Sequence, residues 1–361
     1  MPSMEITTNI ACRVKCDFCP QELLIKKYSD RTELNNITYG SPAQMTLQTF
    51  KKCLETIPEN VLIGFAGYSE PFLNPDCSKM ILFAHEKGHP ISLFTTLVGM
   101  KLEDVEKIKN VPFTIFHIHL PDSSNIAKIA VNQNYLNVLK KIISNKIENV
   151  SGMSMGELHP KIESILDTAI SKSTMSSRAG TMDKVKTIPK KIGPLSCNRS
   201  TAIDLIDRID HNVLLPNGDV SLCHNDYGLQ NIIGNLVELP YESIFHTKNY
   251  NEMFNKLKSN SDELMCRYCE EAIPESDLKE KQSLKVELEN SADQVSNKII
   301  QLFQKHLGRF PEKWGFEYFY DQLTNKNQSI DEFEKSIIES NEYEGRHAPK
   351  LKLSSDIHNS L

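Results

Sequence analysis

The residues of this chain best suited to chemistry are its cysteines. Three of them, Cys12, Cys16 and Cys19, stand at C-x3-C-x2-C spacing in the stretch A-C-R-V-K-C-D-F-C-P-Q, Ala11 to Gln21. Thiolates are soft ligands, and a cubane 4Fe-4S cluster needs a ligand on each of its four irons. A loop this short folds around a single cluster. Three cysteines leave one iron open to chelate an amino and a carboxylate group of a small molecule. A single zinc ion is the alternative, although closed zinc sites take four protein ligands, commonly as paired C-x2-C elements. Four more cysteines, Cys197, Cys223, Cys266 and Cys269, follow at C-x25-C-x42-C-x2-C. Four thiolates satisfy every iron of a second cluster, which can move an electron but has no open iron for substrate. The same spacing suits a structural zinc ion, so both occupants stay open at this set. Cys53 and Cys77 fall within expected helices and read as buried small hydrophobes.

The elements that must position these residues follow a βα rhythm. Met4 to Asn9 reads as a strand that delivers the first cysteine loop at its C-terminal end, where parallel α/β barrels place their chemistry. After a polar loop, a helix is expected over Thr46 to Ile57 and a strand over Asn60 to Ala66, running into the turn G-Y-S-E-P, Gly67 to Pro71. Further helices are expected over Pro75 to Lys87, Ile126 to Asn145 and Lys161 to Ser171, and strands over Pro90 to Thr95, Thr114 to Leu120 and Val150 to Met155. At period two, His117 and His119 share one face of their strand, Ile118 lies on the other, and Asp122 closes it. Cys223 ends N-V-L-L-P-N-G-D-V-S-L-C, which reads as a β-hairpin turning at Asn217 and Gly218.

With the aromatic Phe18 just before its third cysteine, the first motif resembles that of the radical S-adenosylmethionine (radical SAM) enzymes. The resemblance implies a partial (β/α)6 TIM-like barrel of α/β class, and a cluster whose open iron holds S-adenosylmethionine. The reduced cluster splits that cofactor into methionine and a 5'-deoxyadenosyl radical, which takes hydrogen from a substrate. Gly67 and Glu70 match the turn that grips the cofactor's amino group in these enzymes, with Ser69 in place of a usual glycine. Thr95 and Thr96 match its ribose contacts, and Arg178, in S-R-A-G, an arginine near its carboxylate. His117, His119 and Asp122 are then candidate catalytic residues beside the cofactor. The hairpin, the Gly228 to Phe245 segment and the closing C-x2-C resemble an auxiliary-cluster domain of the SPASM and twitch type. There the resemblance implies an auxiliary 4Fe-4S cluster that accepts an electron from the substrate radical, as in alcohol oxidation or peptide modification. Implied partners are a small-molecule or peptide substrate and a flavodoxin- or ferredoxin-type reductant. A zinc-stabilised binding or scaffold protein is the rival reading.

These features divide the chain into a barrel (1–188), an auxiliary-cluster domain with its β-hairpin and helix (189–285), a helical module (286–348) and a frayed tail (349–361). The stretch Ser276 to Asp293 reads as a solvated helix or linker. Three amphipathic helices then resemble a small module of unknown function, with Trp314, Phe316, Phe319 and Tyr320 as its core or as a face for a protein partner. Length and composition are those of an ordinary globular chain, with 361 residues, 39% hydrophobic and 24% charged. The net charge of -6 carries no basic footprint for nucleic acid, and no segment reaches the roughly 20 apolar residues of a membrane span. Without a secretory pattern at the N-terminus, nine cysteines point to metal ligation in a reducing cytoplasm rather than to disulfides.

Overall fold

The computed structural model describes residues 1–168, 170–182, 185, 188–197, 208–278, 293–307, 311, 313–340, 343 and 350–354. The chain forms two compact units, Met1–Ala272 together with Lys350–Leu361, and Ile273–Pro349.

The first unit is built on one nine-stranded sheet. Six of its strands follow the chain, β1 (Ser3–Ile6), β2 (Leu62–Phe65), β3 (Ile91–Thr95), β4 (Phe113–His119), β5 (Val150–Ser154) and β6 (Ser171–Lys172). Each pairs in parallel with the next. Helices fill the connections: α1 (Gln21–Thr32), α2 (Leu47–Leu54), α3 (Cys77–Glu86), α4 (Leu102–Ile108), α5 (Gln133–Ser144) and the single turn α6 (Pro160–Glu163). Covered parallel strands are apolar on both faces. Ile63, Phe65, Leu93 and Phe116 accordingly show no exposed surface, each burial contributing roughly 1.5–3 kcal/mol. This sequential order of parallel strands is the expected partial (β/α)6 barrel. The cysteine hairpin extends the same sheet. β7 (His211–Leu214) lies parallel to the other side of β1 and continues through antiparallel β8 (Asp219–Ser221) and β9 (Ile232–Asn235), before helix α7 (Lys248–Lys258). At the hairpin turn Gly218 has φ +89, and a Cβ there would fall 2.5 Å from Val237.

Four expectations are corrected. Residues 21–32, read as polar loop, are helix α1, whose buried stripe is narrow and begins with the polar Gln21, followed by Leu24 and Tyr28. The helix expected over Ile126 to Asn145 starts only after its cap Asn132, whose side chain accepts the Tyr135 N–H at 2.9 Å. Upstream, the Asp122 carboxylate holds the Ile126 and Ala127 amides at 2.8 Å, so the buried Ala127 and Ile129 belong to a loop. The helix expected over Lys161 to Ser171 is one turn, and the chain returns to the sheet as β6. Finally, residues 350–354 are not frayed. The Leu351 N–H donates to the Val150 carbonyl, Ser354 N–H to that of Ile165, and Leu351 and Leu353 are buried.

The second unit packs three helices, α8 (Gln294–Leu307), α9 (Lys313–Asn325) and α10 (Ile330–Ile338). Ile299, Leu302, Phe303, Phe333 and Ile337 form its core, with Phe316, Phe319 and Tyr320 packed against it. A capping box of Ser329 and Glu332 opens α10. The side chain of Trp314 and residues 279–292 of the expected linker lie outside the described residues.

Candidate active site

The sheet brings its chemically competent side chains to the C-terminal ends of β1 to β4 and to the chain beyond β6, the end at which such barrels carry their sites. One cavity of about 200 Å³ lies there. Cys12, Cys16, Phe18 and Cys19 reach it from the loop after β1, and Gly67, Ser69 and Glu70 from the turn after β2. Thr95 and Thr96 at the end of β3, His117 and His119 on β4, and Arg178 complete the set. Asp122 does not line it, since both its oxygens are held by backbone amides.

The thiols of the first loop are close enough to repel one another as anions. Burial pushes the Cys12 thiol up to about 12, and the charges of Glu70 and Cys19 add to the shift. Cys16 is raised by burial first and then by Cys19 and Cys12. Among the described residues, no three His, Cys, Asp or Glu side chains close around a point as they would on a single metal ion. The loop is anchored from α1, where the Gln21 side chain accepts the Cys12 N–H at 3.1 Å and donates to the Tyr68 carbonyl at 2.5 Å and to Cys19 Sγ at 3.3 Å. Gln21 escapes a sequence reading because glutamine usually marks a helix's exposed face. Its clue is position, three residues before the buried Leu24.

Glu70 is 4% exposed and receives four donors. Thr95 Oγ1 at 2.8 Å and the Phe72 N–H at 3.1 Å reach Oε1, while the Thr96 N–H at 2.5 Å and its hydroxyl at 2.7 Å reach Oε2. Burial still pushes this carboxyl above its ordinary range, with those donors holding it partly back. A cationic partner in the cavity would favour its charged form. Gly67 makes the turn possible, since at φ +66 a Cβ would sit 2.3 Å from Thr7 Oγ1, the atom that accepts the Tyr68 N–H.

Three buried polar atoms around the cavity have no partner among the described residues, namely Ser69 Oγ, His119 Nε2 and Arg178 Nε. Unpaired buried donors and acceptors are costly, so such atoms mark where a polar ligand fits. The His119 ring stacks on Phe18 at 5.1 Å, and burial, then the neighbouring His117, holds its pKa down to about 4. Arg178 sits at φ +49 and Ala179 at φ +53, a left-handed pair that side chains disfavour. The turn is clamped by Glu270, which accepts the Ser177 N–H at 2.5 Å.

The second thiol set gathers from three elements. Cys197 ends a short strand (Leu195–Cys197), Cys223 follows β8, Cys266 lies in a 3-10 turn (Met265–Tyr268) and Cys269 caps it. Burial raises Cys266, and the charges of Cys197 and Cys269 raise it further, while Cys223 is raised by burial and then by Cys266. Arg267, fully buried between the last two, points its guanidinium at the carbonyls of Ser261 (2.9 Å), Ser259 (2.5 Å), Lys191 (3.3 Å) and Gly193. A buried arginine at this position reads from sequence as an exposed one, and only the loops that fold over it show otherwise.

Residues 209–270 match the SPASM family, an iron–sulfur cluster-binding domain. No curated protein sequence matches the chain. Among solved structures, the chain is similar to BtrN in complex with AdoMet and 2-DOIA, with 15% identity, 75% of this chain and 92% of that one covered, and a TM-score of 0.49. It is also similar to anSMEcpe with bound AdoMet and a Cp18Cys peptide (11%, 74% and 86%, 0.43) and to Streptococcus suis SuiB bound to the precursor peptide SuiA (11%, 74% and 69%, 0.40). No helix among the described residues is long and apolar enough to cross a membrane. Beside its partial parallel barrel the chain therefore has, in residues 209–270, a segment that matches the SPASM iron–sulfur cluster-binding domain.

Proposed function

We propose that the protein is a radical SAM enzyme that oxidises a small hydroxyl-bearing substrate. The observation that carries this reading is the convergence, on one cavity, of three thiols from a single loop with the buried Glu70 and three unpartnered polar atoms. The donor set suits a 4Fe-4S cluster with one open iron at Cys12, Cys16 and Cys19, and S-adenosylmethionine fits the groups around it. When bound, the pair supplies an electron to the sulfonium and so a 5'-deoxyadenosyl radical that abstracts hydrogen. Glu70 offers a carboxylate to the cofactor's ammonium and Arg178 a guanidinium to its carboxylate, each a charge-assisted pair. Thr95 and Thr96 then act chiefly by holding Glu70 in place, a role other than the ribose contact their motif suggests.

A second cavity of about 260 Å³ shares Phe18, His119, Met153 and Arg178 with the first and continues to His224, Asn225, Glu270 and Glu271. It supports a compact polar substrate. Asn225 is 4% exposed, gives its amide N–H to Cys269 Sγ at 3.6 Å, and leaves its Oδ1 without a partner among the described residues. Oxidation of an alcohol to a carbonyl removes one hydrogen atom, one proton and one electron. His119, neutral at physiological pH, is the group placed to take the proton. Cys197, Cys223, Cys266 and Cys269 would hold the auxiliary cluster that takes the electron.

Anaerobically reconstituted protein given S-adenosylmethionine and dithionite should form 5'-deoxyadenosine, quantified by chromatography. Intact cofactor after many hours, with iron bound, would overturn the reading.

A further inference from the structure

Two buried tyrosines join the first cysteine loop to the second cysteine set. The Tyr227 hydroxyl lies 3.4 Å from Cys19 Sγ, and its ring meets that of Tyr68 edge-on at 4.8 Å. Tyr68 in turn donates its hydroxyl to the Cys223 carbonyl at 2.7 Å. Both tyrosines are at most 3% exposed. Tyr227 and Cys223 belong to the 209–270 segment, and Cys19 to the loop after β1.

The three thiols of that loop are treated unequally. A cysteine that ligates iron has lost its proton and can only accept, so between Cys19 and Tyr227 the hydroxyl must then be the donor. The Gln21 amide reaches the same sulfur at 3.3 Å, giving Cys19 two side-chain donors. Cys16 Sγ faces the Ala127 carbonyl at 3.1 Å, which cannot donate, and Cys12 Sγ has the Glu70 N–H at 3.5 Å. Hydrogen bonds to the sulfurs of a cluster are a principal lever on its reduction potential, because they favour the more negative, reduced form.

Resting on the cluster assignment above, we propose that Tyr227 is a positioning residue that raises the reduction potential of the first cysteine site from within the iron–sulfur domain. Tyr68 fixes its ring and so couples that setting to the chain around Cys223. The SPASM-type segment thereby conditions the first site as well as carrying its own.

The test is a potentiometric titration of the full-length reconstituted chain, following the electron paramagnetic resonance signal that changes on adding S-adenosylmethionine. Tyr227→Phe should keep the wild-type iron content, yet its ratio of reduced to oxidised first site at a fixed potential should fall about tenfold, equal to about 59 mV for a one-electron couple. Tyr68→Phe should move the ratio less in the same direction, and Tyr227→His, which restores a donor, should bring it back towards wild type. An unchanged ratio in Tyr227→Phe, or a loss of iron that Tyr227→His does not rescue, would overturn the proposal. A reduced signal indifferent to S-adenosylmethionine in the unaltered protein would instead overturn the cofactor assignment beneath it.

Discussion

Cys12, Cys16 and Cys19 arrive on one short loop at the edge of a cavity, with Cys16 and Cys19 half-buried. Cys197, Cys223, Cys266 and Cys269 are collected from three elements, the last two buried. Arg267 ties the last pair to two loops, Asn225 donates to Cys269 Sγ, and Lys191 Nζ donates to the Cys269 carbonyl at 2.7 Å. Three thiols beside open space and unpartnered polar atoms suit a site that exchanges a ligand. Four thiols, with Cys266 and Cys269 buried and Asn225 on Cys269 Sγ, suit a site that only holds its occupant. The contrast lies in the surroundings as much as in ligand number, and it can be broken at either end.

The largest effect separates the two sites by function. Cys16→Ala removes one of three thiols and should abolish 5'-deoxyadenosine formation with or without substrate. Cys269→Ala should leave that reaction running with dithionite while the oxidised product disappears. Chromatography of both products, on variants shown by circular dichroism to be folded, checks this. Deoxyadenosine from folded Cys16→Ala, or normal product from folded Cys269→Ala, would erase the distinction.

Arg267→Met should break the closed site through its frame. It strands four carbonyls now facing the guanidinium, a loss of about 3–5 kcal/mol. Urea unfolding should show that loss, and iron should leave the second site before the first. Equal iron loss at both sites would mean that the two are not separately framed.

Glu70→Gln sharpens the exchanging side. Charge-assisted hydrogen bonds are worth about 1.5–3 kcal/mol, so affinity for S-adenosylmethionine should fall roughly 10- to 100-fold with iron content unchanged. Isothermal calorimetry on the reconstituted protein measures it, and equal affinity would make Glu70 a purely structural acid.

The smallest effect is a pH dependence of stability. His119 is held to about 4, against about 6.5 for a free histidine, so between those values the unfolded chain binds more protons. Stability should therefore fall as pH drops from about 6.5 towards 4, by on the order of 1 kcal/mol for a ring bordering a cavity. His119→Gln should flatten that slope in urea titrations. An unaltered slope would place the imidazole in water.

Most of the barrel was legible because β2 to β4 are largely apolar and α2, α3 and the core of α5 have wide apolar stripes. What was not legible depends on long-range partners. Ile126, Ala127 and Ile129 carry a helical pattern, yet the Asp122 carboxylate captures two of their amides first. The tail residues Leu351, Leu353 and Ser354 gain structure from Val150, Leu166 and Ile165, nearly two hundred residues earlier. At the site, cysteine spacing pointed to both thiol sets, and period two placed His117 and His119 on one face. Gln21, Tyr68, Tyr227 and Arg267 carried no such signal, because each acts through a partner that the fold supplies.

The central claim is that one chain holds two iron–sulfur sites of different openness, and its most direct measurement is the iron content of anaerobically reconstituted protein. The account predicts roughly eight irons per chain, about four at each site. About four irons with one zinc would contradict the auxiliary cluster, and a chain without iron would contradict the whole account.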